Sequence, residues 1–300
     1  MENLNTPLSS FCLVLLDWQN NSSTFLNRAI TTAALLSDEI YYAVIITHSF
    51  KYLPLPGKQS PSKKQIETES NQQVEQICGQ LNINKALHYC GIFMGDEGIH
   101  QLNQVCLKKQ ITLIIKHLHP SLPFTQQFAA ISPMQFIKET TISIWFITQP
   151  TPNQQALVCV NGEQHDAQHE QLTQKVIAVS GRLANRLSIK LELFHAITPL
   201  GAEWLVDTDL TQPHQEETQQ LETNFDQLVS QLQNTLPADA CSITCMQGEP
   251  GYVISQRLQQ QMIDLLIIGW LPQNHWTHAI HGQLAERFIK QGSFDVIIIK

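Results

Sequence analysis

The sequence predicts an α/β protein of two tandem doubly wound domains, each a five-stranded parallel sheet with helices on both faces. Three observations predict it. Short β-branched runs alternate with longer amphipathic stretches along the 300 residues, the pattern of βαβ units. The order of these elements is completed in residues 1–149 and begins again in residues 156–300. Between the halves lies QPTPNQQ, residues 149–155, where Pro150 and Pro152 stop strand pairing and favour an extended connector. At roughly 150 residues per domain, the length also predicts two domains.

In the first half, Phe11 to Leu16 reads as a buried strand, Ser23 to Leu36 as a helix and Tyr42 to Thr47 as the second strand. A helix over Gln65 to Gln80, a strand over Ala86 to Tyr89 and a helix over Asp96 to Lys109 follow. The half closes with a strand at Ile111 to Ile115, a short helix at Pro133 to Glu139 and a strand at Ile142 to Ile147. The second half repeats this order. It has a strand at Ala156 to Val160, a helix at His169 to Leu187, a strand at Lys190 to His195 and a long helix at Glu216 to Asn234. A strand at Cys241 to Met246, a helix at Pro250 to Gln261 and a strand at Asp264 to Ile268 come next. A helix at Gly282 to Gln291 and a strand at Phe294 to Ile299 complete it. LVLLD at Leu13 matches LVCVN at Leu157, and TLIIK at Thr112 matches LLIIG at Leu265, as expected of a duplicated domain. Parallel strands require right-handed crossovers and cover on both faces, which places any ligand at the carboxyl ends of the strands.

Composition narrows the function. The chain is 43% apolar and 15% charged, so it is globular rather than disordered. Its net charge of −8 and its lack of a Lys/Arg-rich stretch exclude nucleic acid as a general partner. Apolar runs fall well short of the ~20 residues that span a bilayer, and the N-terminus, with Glu2 and no basic region, does not read as a signal peptide. A cytoplasmic protein is expected. Seven cysteines without CxxC fit reduced thiols, with Cys12, Cys159, Cys241 and Cys245 read as core residues.

The stretch GWLPQNHWTHAIHGQLAERFIKQGSFDVIIIK, from Gly269 onward, follows a buried strand and leads into a helix whose first turn is expected at a glycine. A helix N-terminus approached by glycines offers backbone N–H groups and a dipole to an anion. The spacing Gly269, two residues, Pro272, nine residues, Gly282, Gln283 resembles the G-x2-G-x9-G-(S/T) motif of the universal stress protein family. Two of four motif positions match; Pro272 stands for the second glycine and Gln283 for Ser/Thr. Proline has no N–H to donate and holds φ near −65°. The order of elements over nearly the whole chain is most similar to the tandem, two-domain E type of that family. GEPGYVI at Gly248 resembles the family's G-x-P segment near the ligand crevice, and QLAERFIKQGSFDVIIIK resembles its tail. The resemblance implies an adenine-nucleotide site, ATP or AMP with Mg, held in the second half by Gly269, Gly282, Gln283, Asn161 and Gly248. The nucleoside-contacting aspartate of ATP-binding members falls on Asp17 in the first half and is replaced by Asn161 in the second. The resemblance also implies that the last strand of each half pairs with the other as an intrachain pseudo-dimer, which leaves open a further homodimer of whole chains.

The first half carries no glycine between Lys116 and Pro133, so one half keeps the aspartate without the loop and the other part of the loop without the aspartate. His275, His278 and His281 recur every third residue and read as a solvated His-rich loop, with a metal site as the alternative; His165 and His169, with Asp166 as third ligand, are the weaker metal candidate, His117 and His119 read equally as loop polar groups, and His195 reads as a satisfied, partly buried histidine. No G-x-S-x-G, HExxH or Walker A pattern is present. Asp264 reads as a strand-start surface or capping residue. The expectation is a non-catalytic protein acting in a stress response through ligand sensing or protein contacts, with slow ATP hydrolysis or autophosphorylation as the residual enzymatic reading. Two alternatives stand beside it: an adenine-nucleotide switch seated in the second half, and a carrier of an apolar molecule in a crevice near Trp204, Trp270 and Trp276.

Overall fold

The computed structural model describes residues 11–17, 23–46, 62–80, 88–94, 97–118, 132–160, 167–197, 223, 241–271 and 278–300. The chain divides into two compact units between Thr151 and Pro152.

The first unit orders its strands β3-β2-β1-β4-β5, all neighbours parallel. They are β1 (Phe11–Asp17), β2 (Glu39–Ile46), β3 (Tyr89–Met94), β4 (Leu113–His117) and β5 (Ser143–Ile147). Helices α1 (Ser23–Leu36), α2 (Lys63–Gln80), α3 (Gly98–Lys108) and α4 (Pro133–Glu139) lie between them in sequence. The central strands are buried at consecutive positions, as in Cys12 to Leu16 and Leu113 to Ile115, which requires cover on both faces. That is the doubly wound arrangement. Asn103 of α3 fastens the end of α4: its Nδ2 donates to the Glu139 carbonyl at 2.8 Å, and its Oδ1 accepts from Thr140 Oγ1 at 2.9 Å.

The second unit repeats the order: β8-β7-β6-β9-β10, again parallel throughout. Its strands are β6 (Gln155–Cys159), β7 (Lys190–Ile197), β8 (Cys241–Gln247), β9 (Leu265–Gly269) and β10 (Asp295–Ile299). The helices described are α5 (Ala167–Leu187), α6 (Pro250–Gln260) and α7 (His278–Gln291). The expected helix at Glu216 to Asn234 lies outside the described residues. Glu192, 1% exposed in the middle of β7, is paired with Arg257 of α6 at 2.6 Å, so one ion pair ties this helix to the sheet. Asp264 acts as a cap: its carboxylate accepts from the N–H groups of Gln154 and Gln155 at 2.8 and 3.1 Å.

Four expectations change. β3 runs Tyr89–Met94, so of Ala86 to Tyr89 only the last residue belongs to it. Gly91, which breaks the run of strand-forming residues, sits at φ 122° where the register with β2 shifts between Tyr42 and Ala43. The irregularity absorbs the glycine and the strand continues. Cys241 and Cys245 are only half-buried, with Ile243 between them 45% exposed, because β8 is the last strand in the order of its unit. Cys159 is also only partly covered, whereas Cys12 is fully buried; all seven cysteines are thiols. Helix α7 begins at His278, a turn before Gly282. His278, Ala279, Ile280 and His281 include no helix breaker, and a glycine inside a helix costs only about 1 kcal/mol. His278 and His281 therefore lie in a helical turn rather than in a loop.

Candidate functional site

In a sheet of order 3-2-1-4-5, adjacent crossovers leave in opposite directions between the first and fourth strands, and the crevice at their carboxyl ends is where such folds take ligands. The first unit places this point between β1 and β4. Asp17 ends β1, in register with Ile45 of β2. His117 ends β4, and the first turn of α1 brings Phe25 onto it. The two rings stack with centroids 3.7 Å apart and planes 21° apart. Around them Leu16, Leu26, Ala29 and Ile115 leave a cavity of only about 10 Å³. Deeper in the unit, buried Arg28 donates from Nη1 to the Gln149 carbonyl and anchors α1 to the segment after β5.

The second unit has its crevice between β6 and β9. Gly269 ends β9, and a Cβ added there would lie 2.7 Å from Leu172 Cδ2 and 3.1 Å from Val176 Cγ2. The bare Cα is thus used by α5 for its close approach. Trp270 follows, 2% exposed, its backbone N–H donating to the Ile299 carbonyl at 2.8 Å and the Lys300 ammonium standing 5.0 Å from its ring centre. Burial lowers the Lys300 pKa to about 8. Beside β6, His195 is 1% exposed and its Nδ1–H donates to the Val160 carbonyl at 3.2 Å, while the Val160 N–H donates to the Phe194 carbonyl. The Cys159 thiol is pushed up by burial and by the nearby Glu192 carboxylate, so it is held protonated and is a poor nucleophile.

The GEPG turn carries its own anion. Gly248 adopts φ 144°, where a Cβ would stand 2.6 Å from Val253 Cγ1, so only glycine fits. Glu249 then caps α6, its two carboxylate oxygens accepting from the N–H groups of Gly251 and Tyr252 at 2.8 and 2.7 Å. These are the donors an outside anion would need. Gly282 is the fifth residue of α7, beyond the four N–H groups that a helix leaves unpaired at its start. Gln283 follows it in the same helix. Asn161, Pro272 and His275 lie outside the described residues, as do Trp204, Trp276, His119 and His165. His169 falls in the first turn of α5. Among the described residues no three His, Cys, Asp or Glu side chains are grouped so as to hold a metal. No helix among them is long and apolar enough to cross a membrane.

Sequence reasoning missed Phe25, Leu172 and Glu249. The Glu-Pro pair at 249–250 carried a readable signal, an acidic cap before a proline in the first helical turn. Nothing local marks Phe25 or Leu172, whose partners are distant in sequence.

Residues 153–300 match the model of the universal stress protein family. The second half is a universal stress protein domain. No curated protein matches the sequence. Solved structures are similar to the chain over nearly its full length. One is a functionally unknown protein from Pseudomonas aeruginosa PAO1, with 14% identity and a TM-score of 0.67, covering 97% of this chain and 92% of that one. Another is a universal stress protein from Archaeoglobus fulgidus DSM 4304, with 12% identity, a TM-score of 0.59 and coverage of 99% and 98%. A third is the cytoplasmic domain of a prokaryotic cation chloride cotransporter, with 8% identity, a TM-score of 0.50 and coverage of 97% and 95%. At these identities the likeness shows the fold, an α/β sandwich on parallel sheets. In this domain Gly269 admits Leu172, and Gly248 turns the chain into the Glu249 cap.

Proposed function

We propose that the chain is a cytoplasmic, non-catalytic tandem universal stress protein of the E type, acting in a stress response through ligand sensing or protein contacts. The observation that carries this reading is the repetition of one strand order in both units, one of which matches the family model. A second domain of the same topology supports extending the family to residues 1–149. The non-catalytic part rests on chemistry. The Cys159 thiol is held protonated by burial, and the Glu192 carboxylate is neutralised by Arg257.

An adenine nucleotide fits the described residues poorly. The free approach that a phosphate needs at Gly269 is taken by Leu172, and the N–H groups after Gly248 are taken by Glu249. The test is calorimetric titration of Mg-ATP, then AMP, into the purified chain. No heat and no thermal shift at millimolar nucleotide is the expected result. Saturable binding at one site per chain, weakened by Gly282→Asp, would replace this reading with a nucleotide switch seated in the second half. Sustained hydrolysis or stoichiometric autophosphorylation abolished by the same substitution would overturn the non-catalytic reading.

A further inference from the structure

We propose that β8 is the contact edge of a homodimer: two copies of the chain join their β8 strands antiparallel about a two-fold axis at Ile243, which sets Cys241 of each copy opposite Cys245 of the other. β8 is the last strand in the order of its unit, and among the described residues no strand pairs with its outer edge. The N–H of Gly248 donates to the Ile197 carbonyl at 3.0 Å, so in the alternation of the ladder Ser242, Thr244 and Met246 turn their backbone groups to β7. Those of Cys241, Ile243 and Cys245 turn outward.

Strands that end a sheet are normally closed to other chains by charge, proline or a bulge. β3, at the same place in the first unit, is closed in this way: its register with β2 shifts at Gly91, which sits at φ 122°. β8 is not. Its sequence, CSITCMQ, has no charge and no proline, and its register with β7 runs unbroken over all 7 residues. Ile243, at the proposed axis, is 45% exposed.

The order of side chains along the edge selects a second copy as the occupant. A two-fold axis at Ile243 pairs Ile243 with Ile243, Ser242 with Thr244 and Cys241 with Cys245, so apolar meets apolar, hydroxyl meets hydroxyl and thiol meets thiol. Over most of its surface a chain of net charge −8 repels its own copy, and this strand brings no charge to the contact. Opposite residues of such a hydrogen-bonded pair lie about 5.5 Å apart at Cα, within the span of a disulfide. Along one strand Cys241 and Cys245 are about 13 Å apart, so a bond between these two positions reports two chains. The dimer does not depend on whether either half binds nucleotide.

The test uses the full chain as wild type, Cys241→Ser, Cys245→Ser and the double variant, oxidised with copper phenanthroline, which takes two electrons from each thiol pair as two protons leave. Wild type should give a disulfide-linked dimer on non-reducing gels. Each single variant alone should fall to the level of the double variant, because its remaining thiol faces a serine. Mixing the two single variants before oxidation should restore the link, since a mixed pair sets Cys245 of one copy against Cys241 of the other. Ile243→Lys puts two like charges on the axis and should raise the dimer dissociation constant at least about tenfold in sedimentation equilibrium. A single variant that links as fully as wild type, or a mixture that links no better than its components, overturns the proposal. So does a wild-type chain that sediments as a monomer at high micromolar concentration, or an Ile243→Lys chain that dimerises as wild type does.

Discussion

Arg257→Ala should cost about 3–5 kcal/mol in the second half, because it strands the Glu192 carboxylate in the sheet core. At 2.6 Å and an effective dielectric constant near 20, the attraction of the pair is worth about 6 kcal/mol before desolvation is subtracted. Glu192 is 1% exposed and cannot reach water when its partner is gone, so its desolvation is left without compensation. The reverse change is gentler. Arg257 is 22% exposed, and in Glu192→Gln it can turn toward solvent, for a loss of about 1–3 kcal/mol. Glu192→Leu with Arg257→Met replaces the pair by apolar groups of similar volume and should lie within about 1 kcal/mol of wild type. The assay is urea unfolding of the four proteins, with hydrogen exchange in β7 and α6 as the local probe, since a chain of two units need not unfold in one step. An Arg257→Ala loss below about 0.5 kcal/mol, or a double variant as weak as Arg257→Ala, would refute the reasoning.

Three further outcomes follow from other contacts. Asn103→Ala removes the donor to the Glu139 carbonyl and the acceptor of the Thr140 hydroxyl and the Thr141 N–H, and should cost about 2 kcal/mol, measured by urea unfolding; Asn103→Asp, which keeps only the acceptor, should recover less than half. Gly248→Ala forces a Cβ against Val253 at a φ that other residues avoid, and should lower stability by about 1–3 kcal/mol and speed exchange at the start of α6. A Gly248→Ala protein as stable as wild type would remove the steric argument. Alkaline pH should destabilise the fold from about pH 9 upward. Burial pushes the Cys106 thiol up to about 12 and the Cys159 thiol up as well, so the unfolded chain loses these protons first and their contribution, complete below pH 9, falls as pH rises. Lys300, lowered to about 8, works the other way between pH 8 and 10.5. Burial also pushes the Cys90 thiol up to about 11 and the Cys241 thiol up, so the thiols outnumber the one amine and stability falls; a stability that climbs between pH 9 and 10.5 in denaturant titrations would contradict it.

The repeated strand order was legible because buried parallel strands leave continuous apolar runs such as FCLVLL and DVIII, and because their spacing forces helical crossovers. Helices α1 and α4 fall where the periodicity places them, Ser23–Leu36 and Pro133–Glu139. What could not be read depends on position in the sheet. The Cys241 to Gln247 run has the composition of a core strand, yet it is half exposed because it ends the strand order, a fact no local window contains. The start of α7 was misread for the opposite reason. Gly282 looked like a boundary, but the residues before it favour helix as well, and the chain tolerated the glycine. At the candidate site, Gly269 was legible as a glycine needed for a close approach. That Leu172 makes this approach depends on α5, about a hundred residues away in sequence.

The cap made by Asp264 bears on where this chain can be cut. The side-chain amide of Asn153 donates to the Asp264 carbonyl, and the N–H groups of Gln154 and Gln155 donate to its carboxylate, so the chain entering β6 is stitched to the residue that leads into β9. A fragment starting at residue 156 would lose all three bonds and leave the Asp264 carboxylate without the donors of Gln154 and Gln155. A fragment starting at Pro152 keeps them and carries its own N-terminal clasp, and proteases should find residues 153–155 a poor target despite the prolines on either side of Thr151.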